Sequence, residues 1–334
     1  MKDDKKVKVS IICLVYNHEK YLRECLDGFV KQKVNFRFEA LVHDDASTDD
    51  SKKIIEEYAR KYPDIIKPIY EKENIYQRVP YMFPVVAKFG AGKYVAICEG
   101  DDFWTDSTKL QRQYDYMEEH PDCALCFHDA EYLDMVTGKK TMHTNIFGEK
   151  TSIDGKYDAG TILACEYITG DAIPTASLFF RMEDIIDLPQ FYFEAPCEDF
   201  PLKLILASRG YAYYMPRVMS VYRRNVIGSA TYRWARQNTK KEIARYESII
   251  KTLDRFNEYS NNRYANELEM HKKRRQNTIL ILKGQAEKIL RDRDRMEVYK
   301  ATDGRRDFLQ LTLRLRAYMP RVYNLLRSIK HAIK

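Results

Sequence analysis

The run Val7–Tyr16 (Val-Lys-Val-Ser-Ile-Ile-Cys-Leu-Val-Tyr) constrains this chain more than any other feature. It is almost continuously apolar and rich in β-branched residues, the pattern of a strand buried on both faces of a parallel sheet. Parallel strands need crossover connections, and helical ones are legible here. After the polar turn Asn17-His18-Glu19, Tyr21, Leu22, Cys25, Leu26 and Phe29 recur at helical spacing. Phe38–His43 reads as a second strand. It is ended by Asp44-Asp45-Ala46-Ser47-Thr48-Asp49-Asp50, a loop and N-cap before Ile54, Ile55 and Tyr58. Ile65–Tyr70 is a third strand, and Met82–Phe89 a helix stopped by Gly90-Ala91-Gly92. Tyr94–Cys98 and Cys123–His128 follow as a fourth and a fifth strand. This alternation predicts an α/β layered domain with a mostly parallel central sheet. Residues 153–223 are less regular, with Ser177–Phe180 as a strand and Glu198–Arg209 as a helix stopped by Gly210.

Beyond Trp234 the chain turns helical, basic and poor in glycine. The net charge of +7 is unevenly spread: residues 236–334 hold 25 Lys/Arg against 12 Asp/Glu, a net +13 set against −6 for residues 1–235. That asymmetry divides the chain into 1–235, which would carry the chemistry, and 236–334, a basic helical extension that would meet something anionic. Seven cysteines in 334 residues do not make a disulfide framework. No apolar run approaches the roughly 20 residues of a membrane-spanning helix, and Met1–Ser10 lacks a signal-peptide core. A secreted, membrane-spanning or collagen-like protein is disfavoured, and a cytoplasmic one is the default.

Two acidic clusters, Asp44-Asp45 and Glu99-Gly100-Asp101-Asp102, sit just after predicted strands. Ligands of open α/β sheets bind at the carboxyl ends of the strands, so both clusters should face one crevice. Three crowded carboxylates are stable together only with a cation or good solvation. Mg²⁺ and Mn²⁺ take one or two such carboxylates plus substrate phosphates, and Gly100 would allow a close backbone approach. Asp44 or Asp45 could accept from a uracil imide or a ribose hydroxyl, or cap the following helix; taken alone, capping ranks first. Tyr16 could stack on a base or pack in the core. Arg223 and Arg224 could neutralise phosphate or form a surface pair. Cys123 and Cys126 read as buried strand cysteines, His43 and His128 as packed histidines. Lys272-Lys-Arg-Arg275 reads as a solvated or membrane-facing surface rather than a nucleic-acid patch.

Together these residues resemble the family-2 glycosyltransferases, nucleotide-sugar enzymes with a GT-A type, Rossmann-like fold. Val9-Ser-Ile-Ile-Cys-Leu-Val-Tyr-Asn17 is similar to the family's opening segment. Ala40-Leu-Val-His-Asp-Asp-Ala-Ser-Thr-Asp49 resembles its second-strand signature, with Ala46 where glycine is usual. Gly92–Asp102 resembles the segment carrying the metal-binding Asp-x-Asp motif, with Glu99 as its first acid, and Glu198-Asp199 resembles the pair that holds the catalytic base. Val221–Ser229 is similar to the late segment, but Asn225 stands near the usual histidine position. The resemblance implies that Tyr16, Asp44 and Asp45 hold a nucleoside, most often uridine, with Asn74 and Arg78 near the base or diphosphate. It implies Glu99 on ribose or a metal-bound water, Asp101 on Mn²⁺ or Mg²⁺, Asp102 behind it, Asp199 as general base and Glu198 placing it.

The function so implied is a metal-dependent inverting transfer from a UDP-sugar to a saccharide or lipid-linked acceptor, in synthesis of a bacterial surface polysaccharide. Ile168–Ser177 would line the acceptor side. A nucleotidyltransferase, or a non-catalytic nucleotide-sugar or saccharide-binding protein on the same fold, is the alternative. The former usually opens with a Gly-rich loop after its first strand, and Leu14-Val-Tyr-Asn-His18 has no glycine. In residues 308–334, Val322, Leu325, Leu326, Ile329 and Ile333 fall on one helical face, with Arg321, Arg327, Lys330 and Lys334 mostly elsewhere. Such a helix suits an anionic membrane surface, which would place the protein peripherally at the inner face of the cell membrane, or it packs on the catalytic domain or a partner subunit; the membrane reading ranks slightly first. No nucleic-acid partner is expected.

Overall fold

The computed structural model describes residues 6–76, 78–79, 81–143, 155–169, 173–302, 306–319 and 323. The backbone divides into two compact units, Met1–Ala159 with Asp171–Arg236, and Gly160–Gly170 with Gln237–Lys334.

The first unit is built on β1 (Val7–Val15), whose Val9, Ile11, Ile12, Cys13 and Val15 are all buried, so both faces of the strand are covered. It pairs in parallel with β2 (Arg37–Asp44) and β4 (Tyr94–Ile97), and β2 pairs in parallel with β3 (Ile66–Tyr70). Helices α1 (Leu22–Val30), α2 (Ser51–Lys61) and α3 (Met82–Ala87) make the crossovers, and a two-residue strand β5 (Phe103–Trp104) precedes α4 (Lys109–Glu119). Beyond β4 lie β6 (Cys123–Asp134), the short strands β7 (Lys140–Met142) and β8 (Lys156–Tyr157), β9 (Phe179–Arg181) and β10 (Tyr211–Arg224). Among the described residues the order is β3-β2-β1-β4-β9-β6-β10-β5, with β7 on β6 and β8 on β10. Strand β9 runs antiparallel to both β4 and β6, and β10 is parallel to β6. Strands β1 to β4, β6 and β10 therefore share one direction, and their carboxyl ends line one edge. The mixed but mostly parallel α/β sheet matches the expectation from sequence.

The 14-residue β10 has no counterpart in the sequence reading. Its tyrosines and arginines break period-2 alternation, and Pro216 lies where the ladder to β6 shifts register between Met215 and Val218, the kind of irregularity that tolerates a missing N–H. The fifth strand runs on to Asp134, and the segment read as a strand from Ser177 begins as a 3₁₀ turn, Thr175–Ser177, before β9. Close packing fixes the β1–β4 junction: a Cβ on Gly92 would lie 2.5 Å from the Ser10 nitrogen. Cys123, Cys126, His43 and His128 are buried, as packed residues should be.

The second unit is helical. It comprises the body of α5 (Ala159–Thr169), then α9 (Thr239–Tyr259), α10 (Ala265–Leu282), α11 (Glu287–Leu290), α12 (Arg293–Thr302) and α13 (Arg306–Tyr318); the numbers α6 (Glu183–Ile186), α7 (Asp199–Arg209) and α8 (Ala230–Arg236) belong to helices of the first unit. Helix α9 starts where the Asn238 side chain accepts from the Lys241 N–H at 3.0 Å, a cap of about 1 kcal/mol. Ala286, Ile289, Tyr299 and Leu313 form a small core. Residues 320–322 and 324–334 of the basic tail, with Val322, Leu325, Leu326, Ile329 and Ile333, lie outside the described residues. No helix among the described residues is long and apolar enough to cross a membrane.

Candidate active site

The acidic loops stand on the carboxyl edge of the sheet. The loops after β1 and β2 are laced together: Thr48 N–H donates to Asn17 Oδ1 at 2.7 Å, Asn17 N–H to Ser47 Oγ at 2.9 Å, and Asp45 N–H to the Val15 carbonyl at 2.9 Å. Ala46 has φ +57°, in the left-handed region where glycine is at ease. The departure from the glycine usual in that signature thus leaves the turn geometry intact at some cost in strain. Neither Asp44 nor Asp45 caps α2, contrary to the first-ranked reading. Asp44 Oδ1 accepts from Ser47 N–H at 3.3 Å. The Asp45 carboxylate takes the N–H groups of Ile75 (2.7 Å) and Tyr76 (3.2 Å), while Asn74 Nδ2 donates to the Asp45 carbonyl at 3.4 Å. Asp45 thereby holds the 74–76 loop against the site. Tyr16, at the end of β1, is 37% exposed and available to stack.

Glu99 closes β4, and its thiol neighbour Cys25 donates to the Glu99 carbonyl at 3.5 Å. Burial pushes the Glu99 carboxyl up to about 8, and the charges of Asp101, Asp199 and Glu198 add to the push, with Lys203 relieving it. The structure therefore brings the Glu99–Asp101 loop and the Glu198–Asp199 pair into one electrostatic neighbourhood, which the sequence could only presume. Tyr76 feels Glu198 and Glu99 there as well, with Arg233 over its ring at 5.8 Å.

Asp102 lies beneath. It is buried, its Oδ1 accepts the Arg223 N–H at 2.8 Å, and its Oδ2 has no hydrogen-bond partner among the described residues. Arg223 is buried too, donating to the Asp101 carbonyl at 2.6 Å and to the Glu24 carboxylate, with Phe103 and Tyr21 on its faces. These contacts tie Arg223 to the acidic loop and to α1. Arg224 lays its guanidinium 3.4 Å from the Tyr132 ring centroid, and exposed Arg78 pairs with Glu73; neither is drawn into the acidic cluster.

Two residues that the sequence reading missed join the site. His18 Nε2 lies 3.9 Å from Asp101 Oδ2. A Cβ on Gly100 would lie 2.8 Å from His18 Nδ1, so the glycine leaves room for the imidazole. A histidine two residues past the end of a buried strand was the available signal. The second is Lys203, one helical turn after Asp199 and 1% exposed, with Nζ 3.1 Å from Asp199 Oδ2.

Asp199 begins α7 with its side chain about one-third exposed. Burial would raise its carboxyl, but Lys203 and the N–H groups of the helix start carry it below its ordinary value, so it is ionised at neutral pH. Thr175 Oγ1 donates to Asp199 Oδ2 at 3.5 Å, which brings the described end of the Ile168–Ser177 segment beside this carboxylate; residues 170–172 lie outside the described residues. Glu198 works differently. Its carboxylate accepts Met82 N–H at 2.7 Å, Phe83 N–H at 2.8 Å and Tyr192 O–H at 3.0 Å, and burial still pushes it up to about 8.

Among the described residues no three His, Cys, Asp or Glu side chains form a cage for a metal ion. The chemistry of the acidic loop nevertheless fits a hard divalent cation: Glu99, Asp101 and Asp102 are crowded and short of positive charge, and such ions complete their shell with phosphate oxygens. Asp101, whose carboxylate lies 3.9 Å from His18 Nε2, is one that could hold such an ion.

Comparison with known proteins bears on this arrangement. An uncharacterised protein of Mycobacterium tuberculosis is 35% identical over 224 residues, 66% of this chain and 60% of that protein. The chain thus spans about 60% of the length of this protein and of two mycobacterial relatives that match equally. A poly(ribitol-phosphate) beta-glucosyltransferase of Bacillus spizizenii is 30% identical over 115 residues, 34% of this chain and 18% of that protein. Among solved structures, Staphylococcus aureus TarS 1–349 in complex with UDP-GlcNAc superposes with a TM-score of 0.62 at 18% identity, covering 95% of this chain and 88% of that one. The mannosyltransferase PcManGT of Pyrobaculum calidifontis, in complex with GDP-Man and Mn²⁺, gives 0.56 at 15% identity, covering 98% and 86%. These likenesses show the GT-A fold. The family model for glycosyl transferase family 2 matches residues 10–184, and with these motifs and this fold the chain belongs to that family.

Proposed function

We propose that this chain is an inverting glycosyltransferase that moves a sugar from a UDP-sugar to a saccharide or lipid-linked saccharide of a bacterial surface polymer. The feature that supports the reading is that the charges of Asp101, Glu198 and Asp199, from remote stretches of sequence, all act on buried Glu99. The UDP-GlcNAc complex of TarS and the polymer named for the Bacillus spizizenii relative support the donor and acceptor classes.

In this reading Tyr16 stacks on the base, and Asp44 with the 74–76 loop held by Asp45 meets the nucleoside. Asp101 would hold a divalent cation, which would supply Lewis-acid stabilisation of the charge on the leaving diphosphate. Asp199 accepts the proton of the acceptor hydroxyl as its oxygen bonds to the anomeric carbon. The bond from that carbon to the diphosphate oxygen breaks, and its electron pair leaves with UDP. Lys203 and Thr175 keep Asp199 ionised and aimed, while Glu198 fixes the backbone around it.

The test pairs thermal shift with turnover. UDP-sugars with Mn²⁺ should raise the melting temperature of the wild type, and Asp101→Asn should remove the cation-dependent part of that rise. Asp199→Asn should keep the nucleotide-induced shift yet lose about 10²–10⁴-fold in transfer rate, the usual worth of a general base. Wild-type turnover in that variant would place the base on another residue.

A further inference from the structure

His18 and Asp101 are two mostly buried polar side chains that stand side by side without bonding. Their side chains are 15% and 14% exposed, and Nε2 of the imidazole lies 3.9 Å from Asp101 Oδ2, too far for a hydrogen bond. His18 Nδ1 is sealed from solvent with no hydrogen-bond partner among the described residues, so Nε2 is the nitrogen left to meet a ligand. Among the described residues the Asp101 carboxylate accepts no hydrogen bond either. Buried polar groups ordinarily find partners, and a neighbouring pair that both lack one needs a physical reason.

The backbone fixes the ring in this place. Asn17, with φ +58°, turns the chain after β1. His18 N–H then donates to Ser51 Oγ at 2.9 Å, and the His18 carbonyl accepts the N–H groups of Tyr21 and Leu22, each at 2.9 Å, at the start of α1. The ring lies against Gly100, whose missing side chain makes room for it. Asp49 is also close enough to feel the imidazole, but its carboxylate oxygens are taken by the N–H groups of Glu19 at 3.0 Å and Ser51 at 2.9 Å. Asp101 is therefore the carboxylate left to share a ligand with Nε2.

A cation is the ligand that both atoms can accept. Two metal–ligand bonds of about 2.1 Å together span about 4.2 Å, so one ion can reach both atoms at their present separation. An imidazole nitrogen also discriminates among ions: it suits first-row transition metals, whereas Mg²⁺ prefers an all-oxygen shell. We propose that His18 is a second protein ligand, beside Asp101, for the divalent cation, and that its nitrogen makes the site favour Mn²⁺ or Co²⁺ over Mg²⁺. This rests on the transferase reading above and names the class of ion that the reading requires. Two protein ligands leave most of the shell to diphosphate oxygens, so ion and nucleotide should bind together.

Pulsed electron paramagnetic resonance of Mn²⁺ on the full chain, with UDP present, tests the ligand directly. The wild type should show modulation from a coordinated nitrogen, and the frequency should change when histidine alone is labelled with ¹⁵N. His18→Gln should abolish that modulation. In calorimetric titrations with UDP present, the variant should bind Mn²⁺ weaker by about tenfold or more and Mg²⁺ nearly as the wild type does. The labelled wild type decides the matter even if His18→Gln fails to fold. The proposal is overturned if bound Mn²⁺ shows no histidine nitrogen, if His18→Gln keeps it, or if the wild type binds no Mn²⁺ with UDP at millimolar concentration. It is equally overturned if His18→Gln weakens UDP to the same extent in EDTA as in Mn²⁺, which would make the imidazole a phosphate contact. Mn²⁺ on His18 in a protein that turns over no nucleotide sugar would keep the ligand and overturn the transferase reading. Turnover with Mn²⁺ held by Asp101 and no histidine would overturn only the ligand.

Discussion

At the scale of single residues, the pair Asp199–Lys203 decides how the site should respond to pH. As the proposed general base Asp199 would have to be ionised, and the ammonium 3.1 Å away keeps its carboxyl below the ordinary value against the opposing effect of burial. A group held low loses its charged form only as pH falls through that lowered pKa, so the acidic limb of kcat/KM should lie at low pH. Lys203→Met removes the cation and leaves burial unopposed, and the Asp199 carboxyl should rise. The acidic limb should then move to higher pH, while UDP affinity at neutral pH, which the proposed function assigns to residues of the β1 and β2 loops, should stay close to the wild type. A pH–rate profile of the variant that overlays the wild-type curve would remove Lys203 from this role.

At the scale of elements, Glu198 is a tie between segments distant in sequence. Its two oxygens receive the first two N–H groups of α3 and the Tyr192 hydroxyl. Helix starts leave such N–H groups without partners, and here the missing acceptor comes from more than a hundred residues away. Glu198→Ala should strand Met82 and Phe83 N–H, at a cost of about 1–3 kcal/mol for the unmet donors. A melting temperature lower by several degrees should report it, with Glu198→Gln, which keeps one acceptor oxygen, falling less. Equal melting of Glu198→Ala and wild type would show that α3 is fastened elsewhere.

The same scale explains what the sequence disclosed. Strands β1, β2 and β4 were legible because burial on both faces leaves an unbroken apolar run, and the acidic loops were legible because they directly follow such runs. Strand β10 was not, since its identity comes from partners on either side and from a bulge at Pro216 that local pattern does not encode. The ties of Asp45 to Ile75, Glu198 to Met82 and His18 to Asp101 join residues with no local relation at all. Arg223 illustrates the converse: its type and its place in the motif were visible, but its burial beneath Asp101 and against Glu24 was not.

At the scale of the whole molecule, the charge split between −6 and +13 calls for a physical consequence, and the tail is where we expect it. After Asp307 there is no acidic residue and there are six Lys/Arg, four of them at or beyond Arg321. Each cation near an anionic leaflet contributes about 1 kcal/mol, so those four alone are worth on the order of 10²–10³-fold in vesicle binding. The cut that tests this must respect the helical core. Leu313 packs with Ala286, Ile289 and Tyr299, so removing everything from residue 308 would damage the second unit and confuse lost folding with lost binding. Deleting residues 320–334 spares Leu313. That variant should melt like the full chain, transfer to a soluble acceptor at an unchanged rate, and fall at least 10²-fold in co-sedimentation with vesicles rich in anionic lipid. Neutral vesicles should bind neither protein, and salt near 1 M, where the Debye length shrinks to about 3 Å, should release the full chain. If the truncated protein still sediments with anionic vesicles as the full chain does, the tail is not the membrane contact. The excess positive charge of residues 236–319 would then be the place to look for what this half of the molecule binds.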